Sequence, residues 1–348
     1  MDEFDRFVGP SAKERKRIIA NDPYAAAKFF QFIIRTTLET LFRIESSRQQ
    51  VHHEMGILGL VEAYIGVMES QNRGALHAHM MVWLENAPSP DDMRTLLQSA
   101  EFRERVKAYI EHNIHAHLPG MDQTGVKNME AEKDLAYSRP PNPDSPDFKA
   151  KFDDMERRLM RSQQIHTCRR NVCLKMDWKT GRMVCKRRAP WKLTDDNVVD
   201  DQGNWYPKRT YGFVNNYNPN ILVSLRCNHD IKILTNGEDT KNVTWYITKY
   251  ATKNQQKLSN ISALLAKGLA FHFQDEKYID SIRDRSRLMV FRCFHTLNRN
   301  VEQSGPQVIS YLMGWGDSFK SHNYVPLFWS SMASYLRRKC PELNMASR

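Results

Sequence analysis

Gln71-Asn72-Arg73-Gly74-Ala75-Leu76-His77-Ala78-His79-Met80-Met81-Val82-Trp83-Leu84 decides how this chain is read. Leu76–Leu84 is a β-rich run, and a second one, Leu60–Met68, precedes it. Between them Glu69–Ala75, containing Asn72-Arg73-Gly74, is a hairpin signal with a loop longer than a tight turn. Both runs are apolar on more than one face, which predicts a central place in a sheet. His77 and His79 stand at i and i+2, so in a strand both imidazoles project from one face. Two nitrogens on a rigid element suit a divalent cation with positions left open for substrate. A third ligand is expected from the hairpin partner or its loop. Glu69 has the hard oxygen that Mg2+ or Mn2+ prefers, and Gln71 has a neutral carbonyl oxygen nearer the turn. The residues leave that choice open.

The triplet alone carries little weight, because His115-Ala116-His117 repeats it. There the pattern predicts the end of a helix over Asp91–His117, closed by Leu118-Pro119-Gly120. Residues i and i+2 share no helix face, whereas histidine is favourable near C-terminal carbonyls.

Far downstream stands Trp245-Tyr246-Ile247-Thr248-Lys249-Tyr250-Ala251-Thr252-Lys253, inside a helix predicted over Thr240–Lys257 with Asp239 or Thr240 as its cap. Tyr246 and Tyr250 are at i and i+4 and share a face; Lys249 and Lys253 form a second such pair on an adjacent face. Aromatics at this spacing by default pack into a core. Lysines beside them also suit a phosphodiester, since they neutralise phosphate and favour a phenolate nucleophile. A metal pair plus a tyrosine nucleophile is what nicking and rejoining of single-stranded DNA requires.

The 348 residues carry a net charge of +11. That balance fits a polyanionic partner, nucleic acid before membrane, because no basic amphipathic anchor accompanies it. No apolar run approaches the length of a membrane span, and Met1-Asp2-Glu3-Phe4-Asp5-Arg6 lacks a signal-peptide pattern; the expected location is nuclear in a eukaryote, otherwise cytoplasmic, and not secreted. Lys151–Lys192 holds 13 Lys/Arg against four Asp/Glu. Within it lie His166, Cys168, Cys173 and Cys185, three of the six cysteines. Without secretion a metal site is favoured over disulfides, and Cys3His is an accepted structural zinc set. Arg169, Arg170, Lys186, Arg187 and Arg188 would then sit on a small knuckle that grips DNA phosphates, and Trp191 would stack on an unpaired base. Cys227, Cys293 and Cys340 read as scattered thiols.

The Glu69–His79 stretch resembles the His-hydrophobic-His motif of the Helitron transposases, whose replication-initiator-like (HUH) nuclease domain has a Gln-x-Arg-Gly-x-x-His-x-His pattern. Tyr246–Lys253 resembles the two-tyrosine motif of the same family, in the same order. Leu76 departs from the proline that many members have before the first histidine. The family also carries Cys/His clusters between its two motifs, and its proteins continue into a helicase, whereas no Gly-x-x-x-x-Gly-Lys-Ser/Thr loop occurs here; the expectation is the nuclease part alone, with a helicase in the full-length protein. The resemblance implies tyrosine attack on single-stranded DNA at transposon ends, a 5′-phosphotyrosyl link and a free 3′-hydroxyl. It also implies Arg73, beside Gln71, as a DNA contact.

The expected architecture is an α/β (α+β) nuclease with a central antiparallel sheet carrying the His-x-His motif, flanking helices and an inserted zinc knuckle. Residues 1–50 form an N-terminal helical segment, in which the apolar-periodic run Tyr24–Ile34 follows an Asn21-Asp22-Pro23 start signal, and 51–135 the half with the metal motif. Residues 136–210 form the basic insertion, opening on a Pro-rich linker over 136–150. Residues 211–320 carry the two-tyrosine helix, and 321–348 a C-terminal tail or helix leading toward a helicase. Ile221–Leu225 and Ile231–Leu234 read as a strand pair, and further helix as ending near Gly314-Trp315-Gly316. Other readings are a rolling-circle replication initiator of a plasmid or virus, a catalytically silent DNA-binding module with core tyrosines, and a non-nuclease metalloenzyme.

Overall fold

The computed structural model describes residues 11–45, 50–51, 54–71, 75–133, 135, 139–170, 172–252, 266, 269–270, 272–273, 282–298, 304–322 and 328–340. Ser11 opens α1 (Ala12–Asn21) through a capping box with Glu14, which satisfies two backbone N–H groups reciprocally. Asp22 caps α2 (Pro23–Thr36), where Pro23 occupies a first-turn position that needs no N–H. A π-helical turn, Thr37–Leu41, leads to β1 (Ile44–Glu45), which pairs with β2 (Gln50–Val51). There follow β3 (Val61–Gln71), β4 (Ala75–Leu84), α3 (Pro90–Leu96), α4 (Ala100–Asn113), α5 (Gly125–Asn128) and α6 (Phe148–Leu159). Next come β5 (Leu174–Asp177), β6 (Arg182–Cys185), β7 (Val198–Val199), β8 (Trp205–Tyr206), α7 (Pro219–Leu225) and α8 (Glu238–Thr252). The chain closes with α9 (Ile282–Asn298), α10 (Gly305–Leu312), β9 (Ser318–Lys320) and α11 (Trp329–Lys339). Among the described residues no helix is long and apolar enough to cross a membrane.

The principal sheet has the order β4-β3-β9, antiparallel throughout. β3 is therefore central, but β4, expected to be central too, is an edge among the described residues. The strands are longer than their apolar runs predict: Glu69 and Gln71 lie in β3, and only residues 72–74 separate it from β4. A register shift between Val61 and Ala63 sets the parity of the rest of the strand. Tyr64 and Met68 are buried. Tyr64, Met80, Val82 and Leu84 pack with Leu38, Phe42, Ile44 and Ile221. The opposite face carries Val67, Glu69, His77 and His79. β9 is secured on β3 by Met68 N–H to Asp317 O (2.7 Å), Ser321 N–H to Tyr64 O (3.0 Å) and Tyr64 N–H to Ser321 Oγ (2.9 Å).

Three expectations are corrected. The helix over Asp91–His117 is two helices, because Ser89 and Ser99 each cap a fresh N-terminus, and α4 stops at Asn113. His115-Ala116-His117 is thus extended, with His115 bridged to Tyr217 through N–H to O bonds of 2.7 and 2.9 Å. Its histidines serve different partners: His115 Nδ1 meets Glu156 Oε1 (3.0 Å) and His117 Nδ1 meets Thr210 Oγ1 (2.9 Å). Buried Glu156 also accepts from Tyr217 Oη at 2.9 Å, and burial with that carboxylate raises the Tyr217 phenol well above its ordinary value. Finally, Ile221–Leu225 is helical rather than extended. Asn218 accepts from the N–H groups of Asn220 and Ile221, and Pro219 fits the first turn. Ile231–Leu234 forms no strand and packs Ile231 and Ile233 beside Leu97, Val106 and Ile110.

His229 ties this region together, because its Nε2 accepts the Asn218 N–H at 2.9 Å and must be unprotonated to do so. Burial lowers its pKa to about 4 from an ordinary 6.5. The unfolded chain therefore takes up the proton first. The contribution of His229 is fully present above about pH 6.5 and is lost as pH falls toward about 4. Unfolding free energies from urea titrations across that window should fall more steeply in the wild-type chain than in His229→Gln, by about 2 kcal/mol after allowance for screening. Parallel profiles would contradict this role.

Candidate metal and nucleic-acid site

The β3–β4 register assembles the first cluster. Glu69 lies opposite His77, and Val67 opposite His79. The imidazoles of His77 and His79 meet edge-on with centroids 4.7 Å apart. His79 Nε2 lies 3.1 Å from Glu69 Oε2. Burial first, then the charges of His79 and Arg187, lower His77 to about 4. At neutral pH its imidazole is uncharged, the form that ligates a metal. Two imidazoles and one carboxylate fit a divalent cation with open positions. The Glu69–His79 contact uses the nitrogen that such an ion would share, so binding exchanges a hydrogen bond for a coordinate bond. The side chain of Gln71 and all of Arg73 lie outside the described residues.

Helix α8 brings the tyrosine motif to this face. Its N-terminus is set by Glu238 N–H donating to Asn204 Oδ1 (3.0 Å) and by Thr235 N–H donating to Thr240 Oγ1 (3.1 Å). The helix therefore starts ahead of the expected caps, and Thr240 lies inside its first turn. α8 packs on β3 and β4. The Tyr246 ring stands edge-on to His79 with centroids 5.7 Å apart, and Tyr246 is 47 % exposed. It is neither a core aromatic nor remote from the histidines. Lys253 and the side chains of Lys249 and Tyr250 lie outside the described residues.

The second cluster is the cysteine set. His166 Nε2 and the sulfurs of Cys168, Cys173 and Cys185 all lie within 4.8 Å of one another. A tetrahedral zinc with Zn–S near 2.3 Å needs ligand separations of about 3.8 Å, so this set can hold a metal such as zinc. Among the described residues it is the one group of three or more His, Cys, Asp or Glu that converges so closely; the Glu69–His77–His79 group is looser. The antiparallel β5–β6 hairpin places Leu174 opposite Cys185 and so brings Cys173 beside Cys185. Arg169 N–H points at Cys173 Sγ (3.1 Å). Arg188, at a left-handed φ of 61°, turns the chain after Cys185 and donates its N–H to Cys185 O at 2.8 Å. Burial raises the Cys168 thiol to about 11, aided by the thiols of Cys185 and Cys173. Burial also acts to raise Cys185, but N–H groups of Arg187 and Ala189 outweigh it and lower that thiol.

The two clusters are electrostatically linked, because Arg187 disfavours protonation of both His77 and His166. Arg169, Arg170, Lys186, Arg187 and Arg188 are all exposed. Trp191 is placed differently from a free stacking platform. Its ring packs between the Arg209 guanidinium (5.5 Å) and His166 (6.1 Å), and its Nε1–H donates to Arg187 O at 3.1 Å. Sequence reasoning passed over Trp178, which is 91 % exposed between β5 and β6. Its position between two lysine-bearing segments inside the cysteine cluster was the available signal.

Residues 2–82 match the family model described as the Helitron helicase-like domain at the N-terminus. The match supports a Helitron transposase N-terminal region and, with it, association with nucleic acid. It takes in Glu69, His77 and His79 and ends before the cysteine cluster and α8. No curated protein and no solved structure matches the chain.

Purified protein should contain about one equivalent of zinc, measured by elemental analysis. Cys173→Ser should lose it and lower the melting temperature. Because the Cys168 proton must leave on binding, zinc retention should weaken as pH falls. Less than about half an equivalent in the wild-type chain would contradict the site.

Proposed function

We propose, from the Helitron-type match over residues 2–82, that this chain nicks and rejoins single-stranded DNA with Tyr246 as nucleophile beside a divalent ion held by His77, His79 and Glu69. The observation that carries the reading is the Tyr246–His79 contact on the face where Glu69 and His77 converge. When bound, Mg2+ or Mn2+ supplies Lewis-acid polarisation of the scissile phosphodiester. Before the ion binds Glu69 holds the His79 ring in place, and neutral His77 keeps a lone pair for the ion. The Tyr246 oxygen attacks phosphorus and its phenolic proton leaves. The bond from phosphorus to the 3′-oxygen breaks, and that oxygen takes a proton to become a free hydroxyl. The 5′-phosphotyrosyl link retains the bond energy for rejoining to another 3′-hydroxyl. Gln71 is a further candidate ligand through its carbonyl oxygen.

Tyr250 lies one helical turn, about 6 Å, further along α8. We assign it the second cleavage, with Lys249 and Lys253 neutralising phosphate. Arg73, Arg169, Arg170, Lys186, Arg187 and Arg188 are the proposed phosphate contacts. Residues 51–135 and 211–320 form the nuclease in this reading, 136–210 an insertion on it and 1–50 a helical buttress. Support comes from β9, which pairs with β3 across the intervening chain. The substrate is single-stranded DNA at transposon ends, and a helicase is the expected partner in the full-length protein.

Incubation with labelled single-stranded oligonucleotides of varied sequence and Mn2+ should yield a covalent adduct that survives denaturing gels. Tyr246→Phe should reduce the adduct at least about a thousandfold. His77→Ala should raise the Mn2+ needed for half-maximal adduct by roughly tenfold or more. An undiminished adduct in Tyr246→Phe, or none in the wild-type chain, rejects the assignment.

A further inference from the structure

Asp177-Trp178-Lys179-Thr180-Gly181-Arg182 closes the β5–β6 hairpin, and its turn is firmly built. Asp177 Oδ1 accepts the Lys179 N–H (3.0 Å), Asp177 Oδ2 accepts from Thr180 Oγ1 (2.8 Å), and Gly181 N–H donates to Asp177 O (2.8 Å). Gly181 takes φ +66°, which a side chain would strain. At the other end the hairpin is anchored in the cysteine set. This rigid lever holds its one large aromatic in water, since Trp178 is 91 % exposed. Trp178 stands in the turn, two residues past Met176, which pairs across the hairpin with Met183; those two side chains are 43 % and 45 % exposed. The hairpin thus exposes two methionines on one face and an indole at its tip.

Charge selects the occupant of that tip. Residues 168–192 contain nine Lys/Arg and a single acid, Asp177, and Asp177 is engaged within the turn. Lys175 and Arg182 are exposed on the hairpin face opposite Met176 and Met183, and Lys179 is exposed in the turn beside Trp178. An acidic or apolar protein surface would match one of these features, whereas an unpaired strand matches both, with flat bases for the indole and phosphates for the cations. A duplex would bury the base faces the indole needs. Trp191 does not compete for this part, since Arg209 and His166 flank its ring.

We propose that Trp178 stacks on an unpaired base of the DNA strand while Lys175, Lys179 and Arg182 hold the flanking phosphates. The hairpin then acts as a finger reaching about 13 Å beyond the cysteine set, four residues of extended chain. Arg187 at its base links it to the His77 side of the molecule. This rests on the single-strand reading above and adds how the strand is gripped.

The test uses the zinc-loaded full chain and fluorescein-labelled dT20, read by fluorescence anisotropy over a series of salt concentrations. Trp178→Ala should raise Kd roughly tenfold or more without changing the slope of log Kd on log salt, and Trp178→Phe should recover most of the loss. Lys175→Ala/Lys179→Ala should raise Kd and flatten the slope by about one to two. Zinc content equal to wild type in each variant shows that the hairpin is intact. If Trp178→Ala binds dT20 like the wild-type chain while the wild type still forms its tyrosyl adduct, stacking is rejected and the nuclease reading stands. If the wild-type chain binds no dT20 and forms no adduct, both fall.

Discussion

The antiparallel register of β3 on β4 is the constraint on which the site depends. Glu69 opposite His77 and Val67 opposite His79 put the polar group on one face, and Tyr64, Met68, Met80 and Val82 on the other. Side chains alternate with a period of two, so a slip of one residue would exchange the faces. A slip of β4 would turn His77 and His79 into the helix-packed core, away from Glu69, and Met80 and Val82 toward water, which makes the slip strongly unfavourable. The register is also held from far along the chain. Ser321 hydrogen-bonds both backbone groups of Tyr64 across 257 residues, and Asp317 receives the Met68 N–H. The C-terminal part of the chain thus fixes the strand that carries Glu69.

Burial of His77 costs stability as pH falls through its window, and the same burial leaves its imidazole uncharged where a metal needs a lone pair. Arg187 adds to this from the cysteine knuckle. Its field favours phosphate at the same place where it disfavours a proton on His77. The knuckle shows a similar division. Backbone N–H groups lower the Cys185 thiol, while Cys168 is pushed up by burial and its neighbours. Of the two sulfurs, Cys185 therefore gives up its proton more readily than Cys168.

Much of the site was legible because it depends on local periodicity. His77 and His79 at i and i+2 share a strand face, and the three cysteines with His166 do converge. The strand ends were less legible, since Glu69-Ser70-Gln71 is polar and extends by pairing with His77, Leu76 and Ala75. Ile221–Leu225 misled for a different reason. Its β-branched residues favour a strand, but Asn218 and Pro219 supply a helix start that outweighs them. The second His-Ala-His could not be placed from its own residues, because Tyr217 and Glu156, distant in sequence, decide its conformation. Trp191 and Trp178 look alike in sequence, and only packing against Arg209 and His166 separates the supporting tryptophan from the exposed one.

Peptide mapping tests the central claim most directly, that Tyr246 beside the β3–β4 histidines is the group that takes the DNA strand. Trypsin cuts after Lys241, Lys249 and Lys253, so Tyr246 and Tyr250 fall on separate peptides. After reaction of the wild-type chain with a short single-stranded oligonucleotide and Mn2+, nuclease trimming leaves a nucleotide remnant on the attacking residue, which mass spectrometry can locate. The account predicts that the remnant is on Asn242–Lys249, at Tyr246. A first-turnover remnant confined to Tyr250–Lys253, or to a residue outside α8, would contradict it.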